Sequence, residues 1–198
     1  MRIVGIDLAG SEKRNTGYCF LNGKKVDVVV LHSDKEILAR LLSERPDIVA
    51  IDAPLSLPKG RKSIEKRDKH HFRQCDLELR GLGIRFFPIT LGPMRMLTKR
   101  GMALKKKILA CLPEARILEV YPGATYDILG AERKNRSSIL RLFAKKGIRI
   151  GKKALTQDEL DGVCCALTAK MFIENQAIGI GDQREGIIIV PRIRCTKL

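Results

Sequence analysis

The chain has 198 residues, 44% of them hydrophobic, enough for one well-buried core and short for two full domains. Thirty-eight Lys and Arg against twenty-two Asp and Glu give a formal charge of +16, spread over the whole length, so the surface attracts polyanions, nucleic acid first among them. No apolar run approaches the roughly 18 residues that cross a bilayer, and a strand begins at once with no leader before it, so a cytoplasmic protein with no membrane partner is expected.

The first eight residues read as an apolar strand broken by one acid, Asp7. Thr16 to Leu21 and Lys25 to Leu31 form a hairpin pair, with Asn22-Gly23 as its turn, because both central positions of a type I′ turn need positive φ. A helix over about 34–44 follows, with Ile37, Leu38, Leu41 and Leu42 at helical spacing. Residues 47–52 form the next apolar strand, ending at Asp52 and stopped by Pro54. This order predicts a mixed sheet whose first and fourth strands are parallel neighbours, with ligands collecting at their carboxyl ends, where Asp7 and Asp52 fall.

The stretch KGRKSIEKRDKHHFR, residues 59–73, has almost no apolar face and reads as a solvated loop or an exposed helix. Within and after it, His70, His71 and Cys75 are either a fragment of a zinc site or part of a wet, charged loop. Arg73, Asp76 and Arg80 share one helix face, as an internal salt-bridge set or a phosphate clamp. GPMRMLTKRGMALKKKILACL is a helical pattern with Leu97, Leu104, Ile108 and Leu112 inward and Arg95, Lys99 and Arg100 supplying charge for a nucleic-acid strand or a solvated face.

Residues 116–121 give another apolar strand carrying Glu119 near the same edge. Tyr121 and Tyr126 can stack on bases, although core packing is the simpler reading. From Leu155 the chain is strongly helical, with Thr156 and Glu159 as a capping box. Asp158 and Asp161 project to one side of its first turns, Asp158 serving either the helix dipole or a site. A glycine-rich turn at IGIGD then leads to 186–191, read as an edge strand because of its terminal proline. The cysteines Cys19, Cys75, Cys111, Cys164, Cys165 and Cys195 lack C-x-x-C spacing and are expected to be reduced and mostly buried.

Acids at the ends of buried strands repel one another and lose hydration, which points to a cation bound in common. GIDLAG, AIDAP, the Asp158/Asp161 pair and the strand order together resemble the ribonuclease H-like superfamily. RQCDLELRGLGIRFFP, LGPMRMLTKRG, EVYPGATYDIL and EGIIIVP, in that order, resemble one group within it, the domain of unknown function family 429, described as predicted nucleases. The resemblance implies a single α/β domain over 1–198, a mixed sheet of hairpin and parallel strands flanked by helices. A basic helical insertion is expected over about residues 59–112. It further implies that Asp7, Asp52 and Asp161 are catalytic and hold two divalent ions, with Asp158 resembling the extra helix acid of the Holliday-junction resolvase branch. Glu119 stands as a further ligand, although ribonuclease H proper carries its glutamate on an earlier helix.

The implied chemistry is hydrolysis of DNA or RNA by two Mg²⁺ or Mn²⁺ ions, with Asp7 bridging; hard ions take oxygen ligands, and no histidine or cysteine is required. Two other functions fit less of the chain. A nucleic-acid-binding protein without catalysis would show salt-sensitive, chelator-insensitive affinity. An actin-like nucleotide-phosphate enzyme is suggested by D-x-A-G-S followed by Thr16-Gly17, but such enzymes place nucleotide between two such domains.

Overall fold

A computed structural model describes residues 1–23, 25–151 and 154–193. Seven strands form one mixed sheet: β1 (Arg2–Asp7), β2 (Thr16–Asn22), β3 (Lys25–Leu31), β4 (Ile48–Asp52), β5 (Arg116–Val120), β6 (Ala177–Asp182) and β7 (Gly186–Pro191), in the order β3-β2-β1-β4-β5-β7-β6. β1, β4, β5 and β7 run parallel to their neighbours in that row, while β3-β2-β1 and β7-β6 are antiparallel. The described helices are α1 (Asp34–Glu44), α2 (Gln74–Gly81), α3 (Gly92–Cys111), α4 (Pro122–Leu129), α5 (Arg136–Lys145) and α6 (Gln157–Ile173).

Strand alternation divides the core. Ile3, Cys19, Ala50, Leu118 and Val120 face α6 with α4 and α5 behind it, whereas Val4, Ile6, Val49 and Ile51 face Ile37 and Leu41 of α1 and Leu104 and Ile108 of α3. α6 is apolar nearly all round, from Leu160 to Met171, as a helix enclosed by other elements must be. Its start is fixed by a reciprocal cap: Thr156 Oγ1 accepts the Glu159 N–H, and the Glu159 carboxylate accepts the Thr156 N–H.

α6 lies unusually close to the sheet because glycines clear its path. A Cβ on Gly5 would fall 2.2 Å from the Gly162 carbonyl oxygen, and one on Gly17 would fall 1.8 Å from that of Asp158. Both obstacles are backbone, so neither can step aside. This contact seats the first turn of α6 over the ends of β1 and β2.

Three local expectations are corrected. Asn22 pairs with Lys25, so the hairpin turn begins at Gly23, φ 61°, one residue later than the sequence pattern suggests. IGIGD is strand rather than turn: β6 forms the sheet edge and β7 lies inside it, between β5 and β6. Pro191 is tolerated there because β5 pairs only as far as Ile189. The segment 59–73 is irregular but not merely wet, since Arg61 is buried and donates to the carbonyls of Ser63, Ile64, Lys66 and His70.

Among the described residues no helix is long and apolar enough to cross a membrane. Cys19, Cys75, Cys164 and Cys165 are buried free thiols and Cys111 is exposed. Cys195 lies outside the described residues.

Candidate acidic site at the carboxyl edge of the sheet

β1 and β4 are in parallel register with Asp7 directly beside Asp52. Adjacent strands lie about 4.8 Å apart, so two aspartates at matching positions on one face crowd each other. Both follow a small residue on the α6 side, Gly5 in β1 and Ala50 in β4, and two residues further on they emerge on that same face. The glycine contact described above carries Asp158 and Asp161 to the same place from α6. Asp7 and Asp158 border one cleft of about 560 Å³, walled otherwise by the Leu8–Ser11 loop, Arg14, Asn15 and the first turns of α3.

The acids are electrically coupled. Burial pushes the Asp7 carboxyl well above the usual aspartate value, and the charges of Asp52, Asp161 and Asp158 push it further. Burial likewise raises Asp52 well above its usual value, helped by Asp161 and Glu119. For Asp161, burial again dominates and raises the value, while hydrogen bonds from Tyr126 and Gln157 pull the other way and Asp158 adds to the rise. Among the described residues no hydrogen bond or ion pair reaches the side-chain oxygens of Asp7 or Asp52, both of which remain partly exposed.

Asp161 is held. Its Oδ1 accepts from the Tyr126 hydroxyl at 2.7 Å and from Gln157 Nε2 at 2.9 Å. Tyr126 is buried, as the core-packing reading has it, and in addition orients this carboxylate. Gln157 precedes Asp161 by four residues, a spacing visible in the sequence. The 35-residue link to Tyr126 is not, because it exists only once α4 packs on α6.

Glu119 does not join these acids. Its register partner on β4 is Ile51, which faces α1 and α3, so strand parity turns Glu119 to the opposite face of the sheet from Asp52. There Arg73 grips it with both arms, Nη2 to Oε1 at 2.7 Å and Nη1 to Oε2 at 2.8 Å, and the Leu55 N–H donates to it at 2.8 Å. With its oxygens so engaged, Glu119 is a structural acid beside Asp52 rather than a free ligand.

The same contacts correct two of the basic residues. Arg73, 1% exposed, is interior and bonds Asp76 as well as Glu119, so Arg73 and Asp76 form an internal salt-bridge set in which Arg80 takes no part. Arg100 is also buried, donating to Asp34 at 2.9 Å and to the carbonyls of Ala9 and His32, where it braces the loop after β1. Arg80, Arg95 and Lys99 are on the surface: Arg80 stacks over Phe72 at 4.1 Å, Arg95 donates to the Thr90 carbonyl, and Lys99 pairs with Glu65. His70 bonds Asp68, His71 bonds Thr90 and Cys75 is buried, an arrangement without the character of a zinc site.

As the side chains stand, no three His, Cys, Asp or Glu groups among the described residues close on one point as a cation cage. The donor chemistry nevertheless fits a hard divalent ion: oxygen donors only, concentrated charge, and no basic side chain to neutralise Asp7 or Asp52.

A mixed sheet ordered 3-2-1-4-5, with acids closing strands 1 and 4 and a third on a late helix, is the arrangement that the ribonuclease H-like resemblance implies. The chain matches the model of the protein family of unknown function DUF429 over residues 5–185 and belongs to that family. No curated protein matches it. Two solved structures similar to it are of Thermus thermophilus RuvC. The first, in complex with a Holliday junction substrate, is 13% identical with a TM-score of 0.48, covering 88% of this chain and 96% of that one. The second is 12% identical with a TM-score of 0.43 and the same coverage.

Proposed function

We propose that this protein is a metal-dependent nuclease that hydrolyses phosphodiester bonds in DNA or RNA. The observation that carries the reading is the pairing of Asp7 with Asp52 at the carboxyl ends of adjacent parallel strands, faced by Asp158 and Asp161, with no basic side chain among them. Asp7, Asp52 and Asp161 would hold Mg²⁺ or Mn²⁺, with Asp158 at the rim of the cleft. Bound there, a pair of such ions supplies an activated water and stabilises the leaving oxygen.

The remaining work falls to the chain itself. Tyr126 and Gln157 fix one oxygen of Asp161, and no described hydrogen bond occupies the other. Arg100 holds the Ala9 carbonyl and with it the loop that follows Asp7. The Arg73–Glu119 pair holds the Leu55 amide and the Ser56 hydroxyl, and so the loop that follows Asp52. Arg95 and Lys99 on α3, and the general excess of positive charge, draw the polyanion to the edge where the acids lie.

The test is cleavage of single-stranded, double-stranded, hybrid and branched substrates with Mg²⁺ or Mn²⁺, paired with Mn²⁺ titration. Asp7→Asn is expected to abolish cleavage and weaken Mn²⁺ binding while leaving the fold intact. A protein that cuts none of these substrates, binds no Mn²⁺ and keeps its nucleic-acid affinity in chelator is a binding protein instead.

A further inference from the structure

Beyond the acids lies a groove that the hydrolytic chemistry does not use. It has a volume of about 630 Å³ and runs between the loop after α2 and the end of β5, with Phe86, Phe87 and Tyr121 along one side and Arg80, Arg85 and Arg133 around it. Phe87 is 68% exposed, the most exposed of the chain's large apolar side chains among the described residues. An exposed ring is ordinary by itself, but one bordering a groove with cationic side chains offers a flat face on which a base can stack.

The groove is built rather than slack. Phe72 and Phe86 meet edge to face with centroids 6.3 Å apart, and Arg80 lies over the Phe72 ring 4.1 Å from its centroid. The Tyr121 hydroxyl donates to the Arg85 carbonyl at 2.7 Å, and Arg133 bonds both that hydroxyl and Asp127. Asp127 accounts for the charge of Arg133. Among the described residues neither Arg80 nor Arg85 has an acidic partner, so the groove presents two uncompensated guanidinium groups beside an exposed ring.

It also leads to the acids. Phe86, Phe87 and Tyr121 border a second, smaller cavity of about 150 Å³ that Asp52 also lines. An apolar face for a flat ring, two guanidinium groups without acidic partners and a border shared with the cavity that Asp52 lines together describe one chemistry.

We infer that this groove takes an unpaired base of a single-stranded segment, stacked on Phe87, with its flanking phosphates on Arg80 and Arg85. The inference rests on the nuclease reading for its purpose and deepens it. It makes the substrate one with unpaired nucleotides next to the scissile bond rather than a continuous duplex. Aromatic stacking is tolerant of base identity, so no sequence preference is expected from this contact.

The test is binding in chelator, where no cleavage occurs, measured by anisotropy with a labelled single-stranded oligonucleotide and with a blunt duplex. Phe87→Ala is expected to weaken single-strand binding at least about five-fold and leave duplex binding within two-fold. Arg85→Gln is expected to reduce the dependence of log affinity on log salt by about 0.7. The chain has no tryptophan, so Phe87→Trp introduces a sole indole whose emission single strands should quench.

Equal loss on both substrates, no loss on either, or an indole blind to single strands overturns the inference. A Phe87→Ala protein that changes oligomeric state would assign the ring to a protein contact and overturn it equally. Absence of cleavage with the Phe87 effect intact removes the nuclease reading alone, and cleavage with no Phe87 effect removes this one alone.

Discussion

Replacing Asp7 with Asn should make the metal-free protein more stable at neutral pH, which is unusual for a substitution at a partly buried strand residue. Two unit charges about 5 Å apart, the spacing of neighbouring strands, repel by about 3 kcal/mol at an effective dielectric of 20 and by about 1 kcal/mol in a water-like medium. Asn keeps the shape and removes that repulsion, and no described hydrogen bond to the Asp7 carboxylate is lost with it. A gain of about 1–3 kcal/mol in urea unfolding in chelator at pH 7 is therefore expected. The pH dependence has a definite sign. Asp7 and Asp52 both titrate above the ordinary aspartate value when folded, so the folded state binds protons more tightly than the unfolded state. Between the ordinary value and the raised ones, stability of the natural protein falls as pH rises. Below the ordinary aspartate range the acids are neutral in both states, and the advantage of Asp7→Asn should disappear. Divalent ions should reverse the ranking, adding about 2.7 kcal/mol to the natural protein at a hundred times the dissociation constant and less to the variant. A variant no more stable than the natural protein at pH 7 in chelator would refute the idea that these carboxylates face one another uncompensated.

Arg73→Met leaves Glu119 and Asp76 buried without their cation and should cost about 3–5 kcal/mol in urea unfolding, partly recovered by adding Glu119→Gln; a loss below about 1 kcal/mol would mean the trio is solvated. Tyr126→Phe deletes the hydroxyl that holds Asp161 Oδ1 and should weaken Mn²⁺ binding about 10–100-fold by titration, with circular dichroism unchanged; unaltered affinity would leave Asp161 outside the metal set. Gly5→Ala places a methyl 2.2 Å from the Gly162 carbonyl oxygen and should cost about 3 kcal/mol or more, read as a lowered unfolding midpoint or loss of soluble protein; a normal midpoint would mean α6 does not sit against β1.

Much of the sheet was legible because its strands are short apolar runs bounded by clear breaks, and β1, β3, α1 and α6 fall where alternation, helical spacing and the Thr156–Glu159 cap put them. Asp7 and Asp52 were legible for the same reason: each is the single acid closing such a run. β6 was hidden because glycines mark turns as readily as strands. Here Gly181, at φ 107°, is required by the approach of α2, where a Cβ would fall 2.6 Å from that of Cys75. The Asp76 partner of Arg73 is legible from its spacing, but Glu119, the other partner of Arg73, and Asp34, the partner of Arg100, are 46 and 66 residues distant in the chain.

Glu119 shows how much one step along a strand matters. Asp52 ends β4 and Glu119 falls one residue before the end of the neighbouring parallel strand β5, so the two look equivalent in sequence, but Asp52 pairs in phase with Asp7, whereas Glu119 pairs in phase with Ile51. A one-residue difference in phase sends a side chain to the other face of a sheet. On the α6 face an acid meets other acids; on the opposite face it meets Arg73. The two acids therefore have opposite surroundings, one left among acidic neighbours with no basic partner and the other neutralised by a buried guanidinium. The neutralised acid in turn anchors Leu55 and Ser56 through itself and Arg73, so the loop leaving Asp52 is fixed from the far side of the sheet. The position of Asp52 thus depends on an ion pair on the other face of the sheet, and damage to Arg73 should reach the acidic site through that loop.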